Sequence, residues 1–464
     1  MPTPSHFPAA HQTSLFGTDL LLQLDPKEPL LALAQAIPWE ELEREFGRHY
    51  CPGVGRPALP VRLLVGLLLL KQLEDLSDEK VVLAFKQNPY HQAFCGLTEF
   101  SRDLPCDSSE LTHFRKRIGK DGMERLFRMS VALQGKAALE DSIHVDTTVQ
   151  EKNITYPTDG KLAIKIINRL NKLARAYGIR QRRTYAKEVK TLRLTLRHFR
   201  HAKRRSKAKK ALKRLRTIAH ALIRELRRTL PKCDLFERHQ KDFLFYERVL
   251  TQQPKDTDKI YSLHEPGVYC VAKGKDHKPY EYGNKVSIAT TAKSNVIVGV
   301  ASHETNVFDG HTLPDILRSV EASRGKPAKT AVCDQGYRGT KAVGETLIIL
   351  PSPPLRRDGR RQRDLKRKRC RRRAAIEPII GHLKSDFRLA KNYLKGAAGD
   401  LFNALLAATA WNLRLWLRAF LSWFWLAWMS CLGLVSRLLT KPIGLIPIRF
   451  VLTSQFGLFS VSTN

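Results

Sequence analysis

Three carboxylates stand far apart in the chain, in settings that could bring them together. Asp146 sits at the end of a β-rich run, Ser142 to Val149. Asp334 closes a short apolar strand, Thr330 to Cys333, and the turn-forming cluster Gln335-Gly336-Tyr337-Arg338-Gly339 follows it. Glu377 lies on a strongly basic helical stretch. Side chains at strand ends face the crevice of an α/β sheet, where ligands bind. A helix packed across that sheet would carry Glu377 to the same place. Three carboxylates meeting there repel one another at neutral pH unless cations intervene. Hard divalent ions, Mg²⁺ or Mn²⁺, are the natural partners. Two of them about 4 Å apart can activate water or a 3′-hydroxyl and stabilise the leaving oxygen, which is phosphodiester chemistry. Spacing alone leaves the plainer alternative open, because an Asp at a strand end is often only a turn or helix cap. Around Glu377 the pattern is more pointed. Arg373 comes four residues before it and Lys384 seven after, so all three share one helical face. Cations that bracket a carboxylate can hold phosphates while the carboxylate holds metal; a surface ion pair is the alternative.

The elements needed to position these residues are legible as an α/β layer fold with a mixed sheet. After a Pro-rich entry, Pro60 opens an apolar helix over Val61–Leu73, and a second helical pattern runs from Asp78 to Phe94. A third starts at Asp107, with Glu110 at capping-box spacing, and carries Arg115, Lys116 and Arg117. Residues 55–135 therefore read as a helical domain whose third helix, through Arg115 and Arg117, is a candidate DNA reader, a solvated face being the alternative. From 136 to 416 the pattern predicts the catalytic domain. It is interrupted at 160–256 by a helical insertion, expected as a hairpin or pair of long helices. Strands are predicted at 268–272, 285–291, 296–302, 330–333 and 346–350, with helices over 312–323 and 364–394. Residues 1–54 form an N-terminal extension and 417–464 a hydrophobic tail. Lys278, Tyr280, Tyr282 and Lys285 make a basic–aromatic cluster that could pair with DNA or could be ordinary cross-strand packing. His303 and His311 are more plausible as structural residues than as neighbours of a metal.

Charge narrows the partner. The chain has 464 residues, 80 Lys/Arg against 44 Asp/Glu and a formal net charge of +36. Between Lys161 and Lys232 stand 26 Lys/Arg against two Glu, and between Arg356 and Arg373 stand 12 against two Asp. These two segments hold nearly the whole excess. A folded chain this basic repels itself until a polyanion neutralises it, so nucleic acid fits better than a small acidic substrate. The eight cysteines include no CxxC pair, which disfavours zinc ribbons and fits reduced thiols. The first twenty residues show no basic region leading into an apolar core, so no secretory signal is expected, and the expected location is cytoplasmic, with the nucleoid. The uncharged stretch 419–436 reaches only the lower limit for a membrane span, and membrane association is not the favoured expectation.

The run Ile376-Glu377-Pro378-Ile379-Ile380-Gly381-His382-Leu383-Lys384 resembles the glutamate region of DDE transposases from bacterial insertion sequences. The resemblance is to the group with the tyrosine–arginine–glutamate–lysine signature, closest to its insertion-sequence-five-like subset. The segment Ala331-Val332-Cys333-Asp334-Gln335-Gly336-Tyr337-Arg338-Gly339 is similar to the second-aspartate motif, and His144-Val145-Asp146-Thr147-Thr148-Val149-Gln150 to the first. The helical segment 55–120 resembles the N-terminal domain of the same family. Together these cover roughly residues 40–415. The resemblance implies a ribonuclease-H-like catalytic core. Asp146, Asp334 and Glu377 would be catalytic ligands of two Mg²⁺ (or Mn²⁺) ions, while Arg373 and Lys384 would hold DNA phosphates near the cleaved end. Independently of the resemblance, Tyr337, Arg338 and Lys285 are further candidate DNA contacts. It implies binding of terminal inverted repeats, strand transfer into target DNA and a homodimeric synaptic complex, with no small-molecule substrate. Two positions depart from the pattern: Cys370 stands where the signature tyrosine falls, and Gln335 where a basic residue is common. The rival readings are an inactive DNA-binding derivative of such an enzyme and a basic RNA- or membrane-surface-binding protein.

Overall fold

The computed structural model describes residues 19–50, 57–199, 201–231, 234–253, 255–272 and 279–431. The chain divides into two compact units, Met1–Trp416 and Leu417–Asn464.

Among the described residues, seven helices open the first unit: α1 (Leu20–Gln23), α2 (Pro29–Ala36), α3 (Trp39–Gly47), α4 (Val61–Leu73), α5 (Asp78–Gln87), α6 (Pro89–Phe94) and α7 (Ser108–Ala132). The apolar run after Pro60 becomes α4, buried along most of its length. The second expected helix is two, because Pro89 cannot continue α5; Asn88 instead caps α6 through Tyr90 N–H. Asp107 caps α7 by accepting from Ser109 N–H at 2.7 Å. Gly119, at φ 61°, bends α7 where a side chain would be strained. The expected boundary at residue 55 does not mark the edge of the core. Trp39 and Phe46 of α3 meet Phe94 and Phe114 edge-on, with ring centroids 5.6 and 6.1 Å apart.

The sheet is built on β1 (Ser142–Lys152). The long insertion follows as four helices rather than two: α8 (Asp159–Ala176), α9 (Ala186–Leu196), α10 (Arg205–Thr229) and α11 (Asp234–Thr251). Gly178 at φ 64° and Pro231 supply two of the breaks. Their apolar stripes bury a separate core, with Leu162, Ile166 and Leu170 facing Leu215, Leu222, Leu226 and Phe243. The sheet resumes with β2 (Tyr269–Ala272), β3 (Tyr280–Thr291) and β4 (Ile297–His303), then α12 (Leu313–Arg324), β5 (Thr330–Val332), β6 (Ala342–Val343) and β7 (Thr346–Ile349). The strand order is β2-β3-β1-β5-β7-β6, with β4 also on β3. β3 runs antiparallel to β1, and β5 and β7 run parallel. The sheet is therefore mixed, as expected.

The basic stretch expected as one helix to residue 394 is two: α13 (Arg360–Arg373) and α14 (Ile376–Asp386). It stops early because Arg388 turns left-handed at φ 61° and the chain returns as β8 (Lys391–Asn392), parallel to the end of β1. The final helix, α15 (Gly396–Cys431), docks its first part on the sheet. There Asn412 bonds both backbone groups of Ile297 at 2.8 and 2.9 Å. The uncharged stretch 419–436 runs past the described residues. Among those described, no helix is long and apolar enough to cross a membrane.

Candidate active site

Asp146 is not at the end of a strand but in the middle of β1, opposite Ile288 of β3. Its Oδ1 accepts from Thr147 N–H at 2.7 Å. Asp334 follows the neighbouring parallel strand β5 and caps a single 3-10 turn, accepting from Gln335 N–H at 2.6 Å. Asp334 thus stands at a strand end, whereas the strand-end position expected for Asp146 is corrected to a strand interior. Glu377 is in the first turn of α14.

Arg373, the last residue of α13, joins the three. Its guanidinium lies 2.9 Å from Glu377, 3.5 Å from Asp334 and 3.8 Å from Asp146. The spacing of four between Arg373 and Glu377 survives the change of helix because Ala374 and Ala375 keep right-handed helical angles. Around the cation the environment is uneven. Asp146 is 18% exposed and Glu377 58%. Burial pushes the Asp146 carboxyl up to about 6; Asp334 and Glu377 add to the rise, while Thr147 N–H and Arg373 oppose it. His144, on the same face of β1, is driven down to about 4 by burial, then by Arg372 and Arg373. The buried Cys333 thiol is pushed up to about 12 by burial, next by Asp146 and Asp334. Arg373 Nε is buried without a hydrogen-bond partner among the described residues. Among those residues, no three His, Cys, Asp or Glu side chains form a ready metal cage. The carboxylates are spaced around a guanidinium.

The expected DNA contacts divide. Arg338 is exposed and donates to Gln335. Lys384 is half-buried on α14, and Arg117 is exposed over the Tyr50 ring at 4.4 Å. Three others are corrected. Arg115 is 3% exposed and grips Asp78 with both guanidinium nitrogens, at 3.0 and 2.5 Å. Lys285 is buried, its Nζ held by Asp309 at 2.9 Å and by the Val307 carbonyl at 2.7 Å. Tyr337 is 1% exposed and belongs to the wall behind Asp334. Each has an internal role that leaves it no surface for a phosphate. Tyr282 meets Tyr156 edge-on and Tyr261 at a tilt, both from loops, so its ring is packed internally, and Lys278 lies outside the described residues. His303 bonds Ser287 at 2.8 Å, and His311 lies against Phe308. Cys370 donates to the Ser352 carbonyl at 3.6 Å.

A fourth carboxylate escaped the sequence. Asp309 accepts from Lys285 and from Thr147 Oγ1, the latter at 3.1 Å, and so braces the residue that bonds Asp146. Its signal in the sequence, an Asp before a helix, is too common to single it out.

Two family comparisons bear on this cleft. Residues 19–117 match the family described as transposase domain (DUF772), and residues 262–413 match the transposase DDE domain. Over 201 residues the chain is 42% identical to "Uncharacterized protein ORF8 in nfe locus" of Rhizobium meliloti, covering 42% of this chain and 97% of that protein. No solved structure matches. A transposase DDE domain, carrying two of the three carboxylates, marks an enzyme acting on DNA. The chain belongs to the DDE transposases of insertion-sequence type. Asp334 and Glu377 fall inside the matched DDE segment; Asp146 precedes it, on the far side of the helical insertion.

Proposed function

We propose that this transposase binds the terminal inverted repeats of its own element, hydrolyses a phosphodiester at each end and transfers the freed 3′-hydroxyl to target DNA. The observation that carries this is the meeting of Asp146, Asp334 and Glu377 on one guanidinium, each within 4 Å of it. The mixed sheet, with β3 antiparallel to both β1 and β4, β5 parallel to β1 and β7 parallel to β5, supports a ribonuclease-H-like core.

The donor set fits Mg²⁺ or Mn²⁺: oxygen ligands only, at one cleft, with more negative charge than one arginine neutralises. Asp146, Asp334 and Glu377 would hold two such ions. When bound, the metals supply a nucleophilic oxygen at neutral pH and stabilise the leaving oxygen. The protein's own side chains do the positioning. The Thr147–Asp309–Lys285 contacts fix the backbone that orients Asp146. Asp334 is held by its cap, and the buried Tyr337 excludes water behind it. Arg338 and Lys384 would bind phosphate oxygens. The insertion's outward Lys/Arg and the N-terminal helices, Arg117 included, would track more distant backbone. Two ends must meet, so the working form is a homodimer in a synaptic complex.

The test is cleavage and strand transfer on duplexes that carry the element's ends, with Mg²⁺ or Mn²⁺. Asp334→Ala is expected to abolish both reactions while leaving DNA binding within about threefold. Unchanged cleavage by that variant overturns the proposal.

A further inference from the structure

We propose that Arg373 is a built-in counter-ion that competes with metal for the three carboxylates, and that DNA loads the site with metal by drawing Arg373 onto a phosphate. This rests on the proposed metal-binding role of the triad.

One guanidinium, 21% exposed, lies 2.9, 3.5 and 3.8 Å from Glu377, Asp334 and Asp146. A divalent ion sharing those carboxylates would sit beside this cation, and the two repel strongly in a half-buried cleft. Both cannot be held at full strength, so Arg373 must leave for metal to bind tightly. The site gives it reason to leave. Its Nε is buried without a hydrogen-bond partner among the described residues, so the fork is incompletely satisfied where it rests. A phosphate, with oxygens on several sides, can satisfy the fork more fully.

The element that carries Arg373 is also suited to move. α13 holds ten Lys/Arg and one Asp in 14 residues, and among the described residues none of its side chains is buried. No apolar stripe fixes it to the sheet. A DNA backbone laid along it would recruit the whole helix, with Arg373 at the end nearest the cleft. Glu377 lies beyond the junction on α14, which is anchored by buried Ile376, Ile379 and Leu383. The carboxylate would therefore stay while the arginine moves. Linkage then requires reciprocity: DNA must raise metal affinity by the factor by which metal raises DNA affinity at that contact. The consequence is an enzyme that carries little metal, and cuts little, away from its substrate.

The experiment is Mn²⁺ binding to the full chain, by calorimetry and by the electron paramagnetic resonance of free Mn²⁺, with and without a short duplex. Arg373→Gln is expected to bind Mn²⁺ at least about tenfold more tightly than wild type without DNA. Arg373→Lys should lie between them. Duplex should tighten wild-type binding by a similar factor and affect Arg373→Gln little. Asp146→Asn should remove the tight binding in either background. Equal affinity of wild type and Arg373→Gln, with both lost on Asp146→Asn, overturns the competition and leaves the triad's metal role standing. No binding by Arg373→Gln, or binding indifferent to Asp146→Asn, overturns both.

Discussion

β1 carries two polar clusters on one face, and they are built to opposite rules. Toward its end, Gln150 and Lys152 lie in a closed network. Lys152, 3% exposed, meets Asp400 at 2.7 Å and Glu265 at 3.4 Å, and donates to the carbonyls of Leu394 and Gly396. Gln150 bonds Asn284, the Asp400 carbonyl and Asn403, while Asn392 donates to Asp400. Four residues earlier, Asp146 shares one arginine with two other carboxylates. Among the described residues the arginine keeps a buried donor unused, and Asp146 is pushed up to about 6 by burial first. Natural folds satisfy buried polar groups and pair buried charges. Where one strand obeys that rule and breaks it four residues away, the breach coincides with the proposed active site. The closed cluster instead ties Glu265, in the loop before β2, and the start of α15 to the sheet.

Mutations at the two clusters should therefore move stability in opposite directions. Lys152→Met strands two buried carboxylates. It is expected to cost about 3–5 kcal/mol of stability by chemical denaturation, with a lower Tm. A loss under about 1 kcal/mol would mean the closed network is not structural.

At the open cluster the effect is smaller and reversed. The Asp146 carboxyl has a folded-state value near 6, above its ordinary 3.8. Its contribution to stability is therefore fully present below about pH 3.8 and is lost as pH rises through about 6. Removing the charge should recover the loss. In metal-free buffer at pH 7.5, Asp146→Asn is expected to be more stable than wild type by roughly 1–3 kcal/mol. That advantage should shrink as the pH falls toward 4. A variant less stable than wild type at pH 7.5 would show that the cleft is not electrostatically strained.

Much of the site could be seen in the sequence because its signals are local. The motif around Asp146 reads as a strand, Asp334 precedes a turn cluster, and Arg373 and Glu377 are four apart, a spacing that held across two helices. What the sequence hid is long-range pairing. Arg115 reads as one more cation on a basic helix; only the fold brings Asp78, 37 residues earlier, onto it. Lys285 reads as part of a basic–aromatic cluster until Asp309, 24 residues later, closes on it. The helices before residue 55 were obscured by Pro-rich flanks, although Trp39, Leu42 and Phe46 form a helical apolar stripe. The insertion's composition announced helices, but four amphipathic helices and two longer ones give nearly the same periodicity.

The central claim is that three separate carboxylates act as one unit. The most direct measurement is single-turnover cleavage of an end-bearing duplex by Asp146→Asn, Asp334→Asn and Glu377→Gln, singly and in pairs. Each single variant should lose at least about 10³-fold, and no pair should fall substantially below its weaker member, because members of one catalytic unit are not additive. A single variant that keeps its rate within about tenfold of wild type, or losses that multiply in the pairs, would contradict it.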